Sequence, residues 1–443
     1  MERFDILRLG PCTIDSPLLA YRDRNGDTLQ FVDDSRRVLV HDRLDDVQAL
    51  LAAGAPLPSL ELAGPRRRIF FEPAKTTIGI VTTGGLCPGL NNVIRAIVMA
   101  AEHHYRVPRI LGFRYGFRGL AEPDLVVTLR ARDVAEIHRA GGSVLSSSRG
   151  PQDVGRMVDR LCELDVSILF VIGGDGSMHG ALEISAELRR RGRPVSVVGI
   201  PKTIDNDLLF MDQSFGFQTA FGKALEAIDG AHREAQGAPH GIGLVKVMGR
   251  HSGFIACAAT LASGNVNFTL IPEVPFVLDG PNGFLEALHR RLVARQHAVI
   301  VVAEGAAQDL CGAGGERDAS GHVKLADVGR FLRTRIEEHF AARDFEATVK
   351  YIDPSYIIRS VPADPGDALF CAQLGLAAVH AGMAGRTELV LGSWHRSPVH
   401  VPIREAISAR NQVDPTGPLW LGVLAATGQP LAFQDLPEPS EPG

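Results

Sequence analysis

Hydrophobic positions along the chain gather into short continuous runs separated by glycine-rich or polar stretches. The clearest are ILFVI (168–172) and VSVVGI (195–200). Continuous β-branched runs of this kind suit strands of a parallel sheet buried on both faces. TTIGIV (76–81), GIGLVKVMGR (241–250), NFTLIPEVPF (267–276), HAVIVVAEGA (297–306) and ELVLGSW (388–394) read as further strands, as does RILGFRYGFRGL (109–120). Between them lie helical segments such as NVIRAIVMAAEHH, PQDVGRMVDRLCEL, FQTAFGKALEAIDGAHREA, HSGFIACAATLASG and DALFCAQLGLAAVHAGMAG. Strands alternating with helices predict an α/β protein with parallel-rich sheets flanked by helices. Residues 1–74 alternate weakly, contain Pro11, Pro17, Pro56, Pro58 and Pro65 among their prolines, and hold one helix candidate at 42–54. They are expected to pack on the body. CGAGGERDASGHVK (311–324) reads as loop or insertion, and the Pro- and Glu-rich end, 431–443, as disordered.

Composition narrows the class. The 443 residues suffice for two or three domains, and 45% hydrophobic with 22% charged residues is ordinary for a soluble protein. A net charge of −5 argues against a nucleic-acid partner. The six cysteines (12, 87, 162, 257, 311, 371) form no CxxC pair, which disfavours a zinc site or a disulfide framework and favours a reducing compartment. The start MERFDILRLG is not a secretory signal, and no apolar run reaches the roughly 18 residues of a membrane span. The expectation is a cytoplasmic protein without a membrane partner.

The strand ends carry the chemistry. The run 168–172 leads into Gly173-Gly174-Asp175-Gly176-Ser177, a glycine loop, and 195–200 into Pro201-Lys202-Thr203-Ile204-Asp205-Asn206-Asp207. Ligands of open α/β sheets bind beyond the carboxyl ends of such strands. Glycines there let backbone N–H groups approach phosphate oxygens. Asp175, Asp205 and Asp207 add what glycines lack, a metal ligand and a base, so the pattern points to a metal-assisted reaction on a phosphate. Gly84-Gly85, between a strand and a helix, fits a phosphate site or a ligand-free tight turn. Neither this loop nor Gly216–Lys223 satisfies the Walker A spacing. Arg149, in GGSVLSSSRG, suits an oxyanion partner or a solvated surface position. Glu273 and Glu304 each end a predicted strand, and TVKYIDPSYIIRS carries Lys350, Tyr356 and Arg359. His380, His395 and His400 lack carboxylate or cysteine company, so no transition metal is expected.

These residues resemble the phosphofructokinases, most closely the plant-type, ATP-dependent group. The likeness runs through GPRRRIFFEPAK, GGLCPGLN, GGSVLSSSRG, GGDGS, PKTIDND, GLVKVMGR, PEVPF, VAEGA and KYIDPSYIIRS, over about residues 60–400. GGDG alone is shared with other kinases; PKTIDND with MGR and YIDPSYIIR is specific. The resemblance implies two Rossmann-like lobes with the active site in the interlobe cleft. On that reading 1–74 is an extension, 75–218 with 360–430 a nucleotide-binding lobe, and 219–359 a sugar-phosphate lobe. It implies phosphorylation of the 1-hydroxyl of fructose 6-phosphate by ATP with Mg²⁺. Asp205 matches the proton acceptor, Asp175 the Mg²⁺ holder, and Asp207 a supporting acid. Gly84, Arg149, Gly150, Gly174, Gly176 and Ser177 match nucleotide contacts, with Lys202 beside them. Arg149 and Arg250 would neutralise the transferring phosphoryl group. Thr203, Ile204, Met248, Gly249, Arg250, Glu304, Tyr356 and Arg359 match the sugar-phosphate site, with Lys350 adding a charge; Glu273 is read as structural or regulatory.

In this family glycine after the GGD aspartate accompanies ATP, as Gly176 does here, whereas Lys202 matches the lysine of pyrophosphate enzymes; plant-type ATP enzymes combine the two. ATP is therefore the expected donor. A pyrophosphate-dependent reversible enzyme and a catalytically silent sugar-phosphate-binding subunit are the alternatives. Gly241 and Tyr356 stand where short bacterial chains have arginine and histidine. A homodimer or homotetramer is the expected assembly.

Overall fold

Ile168–Gly173 is buried at all six positions, and so are Thr77–Thr82 and Ser196–Pro201. Strands with no wet face must sit inside a sheet covered on both sides. In the computed structural model, which describes residues 3–22, 24, 26, 29–312 and 324–434, they are central strands of a nine-stranded sheet. Its order is 37–39, 59–62, 397–402, 389–394, 196–201, 168–173, 77–82, 109–113 and 126–128. The five strands from 389–394 to 109–113 run parallel, and the flanking pairs are antiparallel.

The described residues fall into two compact units. The first lies within Met1–Thr203, Leu208–Gly216 and Ser360–Arg410; the second within Ile204–Asp207, Phe217–Arg359 and Asn411–Gly443. The second contains an all-parallel four-stranded sheet ordered 268–270, 297–303, 241–247, 348–352. The helices Phe284–Arg295 and Val328–Ala341 bury their apolar faces in its core.

Several boundaries differ from the sequence reading. The residues before 75 do more than pack on the body: 37–39 and 59–62 are edge strands of the large sheet. The strand expected over 109–120 stops at Phe113, and a helical turn Arg118–Ala121 follows, where a Cβ on Gly119 would clash with the Arg114 carbonyl at 2.2 Å. The strand expected over 267–276 is only Phe268–Leu270, because Pro272 and Pro275 cannot donate to a ladder. Residues 411–430, expected with the first lobe, group with the second unit: helix Pro418–Thr427 packs on helix Phe254–Ser263. Disorder was expected from 431, yet Phe433 is buried among Phe268, Phe276 and Phe284 at centroid distances of 5.4–6.4 Å. Residues 435–443 and most of the 311–324 loop lie outside the described residues.

The N-terminal segment is tied to the first unit by buried charge. Glu61 Oε1 accepts hydrogen bonds from Arg66 (3.0 Å) and Arg386 (3.1 Å) and contacts His400 Nδ1 (3.0 Å). Burial opposes ionisation of Glu61, but His400, Arg386 and Arg66 together hold its carboxyl well below the usual range. His380 meets the Tyr105 hydroxyl at 2.8 Å, and His395 meets Asp42 at 3.2 Å. Two of the three histidines read from sequence as lacking carboxylate company therefore have it, His395 from Asp42 and His400 from Glu61, because packing brings distant acids alongside them.

Candidate active site

In the first unit, three strand ends carry the glycine-rich and lysine-bearing loops. Gly84 has φ +84°, so its turn is one that glycine adopts readily. The serine-rich segment is stapled onto it: Ser147 Oγ donates to the Gly84 carbonyl (2.6 Å), and Thr82 Oγ1 donates to the Ser146 carbonyl (2.6 Å). Ser148 Oγ donates to Tyr115 O (2.6 Å), and Gly150 takes φ +100°, which fixes the backbone on both sides of exposed Arg149. No role was assigned to the serines from sequence; they hold this loop.

Asp175 was expected in a glycine loop. It is instead the first residue of helix Asp175–Arg190, with Gly174 before it. A carboxylate there gains from the positive end of the helix dipole, and an anion at that terminus would meet free N–H groups. Ser177, one position beyond Gly176, is buried and hydrogen-bonded to Thr83 Oγ1 at 2.5 Å. Lys202 follows strand Ser196–Pro201; its N–H donates to Gly173 O (3.0 Å), and its side chain crosses so that a Cβ on Gly84 would lie 3.0 Å from Nζ. Thr203 O accepts from Ser214 Oγ at 2.5 Å. Gly84, Arg149, Gly150, Gly174, Asp175, Gly176, Ser177, Lys202 and Thr203 therefore all belong to this unit.

The chain passes to the second unit between Thr203 and Ile204, inside the PKTIDND motif. Ile204 is buried and anchors the turn. The Arg250 N–H donates to Asp205 Oδ2 at 3.4 Å, and Ser252 Oγ donates to the Asp205 carbonyl at 2.8 Å. Asn411 closes the other side through Nδ2 to Asn206 O (3.1 Å) and N–H to Asp207 O (3.0 Å). The Met248-Gly249-Arg250 turn needs glycine: Gly249 has φ +129°, and a Cβ would sit 2.5 Å from Ser252 O. Glu304 directly follows strand His297–Ala303 and is locked to this turn by Glu304 N–H to Val247 O (2.9 Å) and Gly305 N–H to Gly249 O (3.0 Å).

Electrostatics mark Glu304 and Lys246. Burial pushes the Glu304 carboxyl up, against the opposing pull of Arg250, Lys246 and Arg359. Burial disfavours the Lys246 ammonium, yet Asp353 (2.8 Å) and Asp327 (3.2 Å) hold its pKa above the ordinary range. Tyr351, pushed up to about 12 chiefly by burial, donates to Asp327 at 3.1 Å. The Arg359 guanidinium lies 4.7 Å from the centre of the exposed Tyr356 ring. Asp205, Met248, Gly249, Arg250, Glu304, Tyr356 and Arg359 thus share one unit. Lys350 pairs with Gly243 in register, and its Nζ lies 3.9 Å from Glu234. Glu273 accepts from the N–H groups of Gly253 (2.9 Å) and Val413 (2.8 Å).

Sequence reasoning missed Lys246, Asp327 and Asp353, although Lys246 lies within GLVKVMGR. It also missed Arg410, whose Nη2 donates to Asp175 Oδ2 at 3.2 Å. A bare RNQ triplet carries no signal for that contact.

A family model described as phosphofructokinase matches residues 77–382, well over half of the chain. The chain belongs to the phosphofructokinase family. It is 50% identical over 434 residues to the ATP-dependent 6-phosphofructokinase of Amycolatopsis methanolica, covering 96% of this chain and 94% of that one. It is 43% identical to the enzyme of that name from Borreliella burgdorferi, over 98% of both. It is also 46% identical to ATP-dependent 6-phosphofructokinase 5, chloroplastic, of Arabidopsis thaliana, over 83% of this chain and 68% of that one. Among solved structures, the pyrophosphate-dependent phosphofructokinase of Marinobacter aquaeolei superposes with a TM-score of 0.66 at 21% identity, over 83% of this chain and 94% of that one. Pichia pastoris phosphofructokinase gives 0.64 at 21%, over 81% of this chain and 37% of that one. These two likenesses concern the fold.

Among the described residues no three His, Cys, Asp or Glu side chains cluster as a metal cage. Asp175 offers one hard carboxylate at a helix N-terminus, and Mg²⁺ is typically held by one or two carboxylates plus substrate phosphates. No helix among the described residues is long and apolar enough to cross a membrane.

Proposed function

We propose that this phosphofructokinase transfers the terminal phosphoryl group of ATP to the 1-hydroxyl of fructose 6-phosphate, giving fructose 1,6-bisphosphate and ADP in glycolysis. The observation that carries the donor assignment is Gly176. It has no positive φ, and a Cβ added there meets nothing within 4 Å. The fold has no need of glycine at this position, so the space it leaves serves a ligand, as a nucleotide α-phosphate requires. The relatives at 43–50% identity bear ATP-dependent names. Lys202 is the observation on the other side, since its ammonium also suits pyrophosphate.

Asp205 accepts the proton of the attacking hydroxyl, oriented by the Arg250 N–H. Asp207 supports that segment through its backbone contact with Asn411. Asp175 would hold Mg²⁺, which when bound supplies charge neutralisation at the donor phosphates. Arg149 and Arg250 counter charge on the transferring group, and Gly84, Gly150, Gly174 and Ser177 shape the backbone around the donor. Glu304 accepts hydrogen bonds from sugar hydroxyls, and Arg359 grips the 6-phosphate. Thr203, Ile204, Met248, Gly249 and Tyr356 complete the sugar side, and Lys350 acts only as a distant charge. A homodimer or homotetramer in the cytoplasm completes the reading, in keeping with six free cysteines.

The test is initial rate with fructose 6-phosphate and Mg²⁺, comparing ATP with pyrophosphate. Turnover with ATP supports the proposal. Turnover with pyrophosphate alone overturns the donor, and turnover with neither overturns the reaction.

A further inference from the structure

Asp175 is engaged by a residue that no motif predicts. Arg410 lies 235 positions further along the chain, yet its Nη2 is 3.2 Å from Asp175 Oδ2. Both side chains are part-buried, at 29% and 25% exposure. The placement comes from tertiary packing: Ile403 and Ala406 are buried, and the Leu209 N–H donates to the Ala406 carbonyl at 3.0 Å, which anchors the segment leading to Arg410. On the other side, His179 Nδ1 lies 3.7 Å from Asp175 Oδ1. The carboxylate thus has a guanidinium on one oxygen and an imidazole near the other.

A divalent cation and a guanidinium compete for the same carboxylate, because each repels the other at short range. A guanidinium released from a carboxylate also has an equally good partner in a phosphate, which it can bind through two parallel N–H groups. We infer that Arg410 is an exchanging counter-ion of the donor site. It holds Asp175 while no metal is bound, and it moves to a phosphate oxygen of the donor when the metal takes the carboxylate. The inference rests on the reading of Asp175 as metal holder. Arg410 is then a donor-binding residue with opposite effects on the two components of the metal–nucleotide.

The experiment measures binding, not turnover, on the full chain: Mn²⁺ alone by electron paramagnetic resonance, and ATP in chelator by calorimetry. Arg410→Met should bind Mn²⁺ about three- to tenfold more tightly, since a neighbouring positive charge is gone. The same variant should bind metal-free ATP about tenfold more weakly, since a charge-assisted contact is lost. Arg410→Lys, which keeps the charge, should return Mn²⁺ affinity towards the parent value. Unchanged or weaker Mn²⁺ binding in Arg410→Met, with Mn²⁺ binding lost in Asp175→Asn, overturns the role of Arg410 alone. Undiminished Mn²⁺ binding in Asp175→Asn overturns the metal assignment beneath it. Matching circular dichroism and thermal unfolding would show that the variants are folded.

Discussion

The two units hold their loops by different means. In the first, the glycine- and serine-rich loops are fixed by backbone shape and neutral hydrogen bonds: Gly84 and Gly150 at positive φ, the Ser146–Ser148 staples, and Ser177 on Thr83. In the second, the loops around Glu304 are surrounded by charge: Glu304 among Arg250, Lys246 and Arg359, with Lys246 held by Asp327 and Asp353. Neutral staples preorganise geometry and are insensitive to pH and salt. A charged network tunes affinity but answers to both. Shape should therefore govern donor choice, and charge should govern sugar-phosphate binding.

The most severe break is Asp205→Asn, expected to lower turnover about a thousandfold or more by removing the base, with thermal unfolding unchanged. Retained turnover would remove Asp205 from that role. Next is Glu61→Ala, which takes from the buried guanidiniums of Arg66 and Arg386 the buried one of the two carboxylates they share, leaving them half-exposed Asp34. It should cost about 3–5 kcal/mol in a urea titration, and a loss well below that would show the cluster to be dispensable. Gly176→Asp sharpens the shape side of the comparison. ATP use should fall about a hundredfold relative to pyrophosphate use, with little change in stability, because the added Cβ meets no protein atom. Equal effects on both donors would refute the argument. Glu304→Gln should raise KM for the sugar phosphate about tenfold and leave KM for ATP near its parent value, and steady-state kinetics varying each substrate would check both.

The smallest effect is one of pH. Burial lowers the His380 pKa from 6.5 to about 3, so the folded chain keeps the imidazole neutral while the unfolded chain protonates it. Between those values the unfolded state binds more protons, so stability falls as pH drops below 6.5, by just under about 1 kcal/mol at pH 6 from this group. His380→Gln should flatten that part of a stability–pH curve; an unaltered slope would assign the acid sensitivity elsewhere.

Much of the architecture was legible because local periodicity reports burial. Ile168–Gly173 and Ser196–Pro201 were readable as central strands since a strand covered on both faces has no polar alternation to hide it. The family motifs were legible for a related reason: GGDGS and PKTIDND place their chemistry within a few residues of a strand end. Less was legible where a few local breakers decided an element, as Pro272 and Pro275 did in shortening 267–276 to Phe268–Leu270.

By itself, then, the amino-acid sequence determined the α/β class, the glycine turns and which short segments join acids to glycine-rich backbone. Tertiary structure alone decided that 37–39 and 59–62 are edge strands of the large sheet, that Phe433 enters the second core, and that Arg410 reaches Asp175 across 235 residues. The reason is one of range. Hydrophobic period and turn chemistry act over a few residues. The partner of an ion pair or an edge strand depends on which distant segments the packed core brings alongside it.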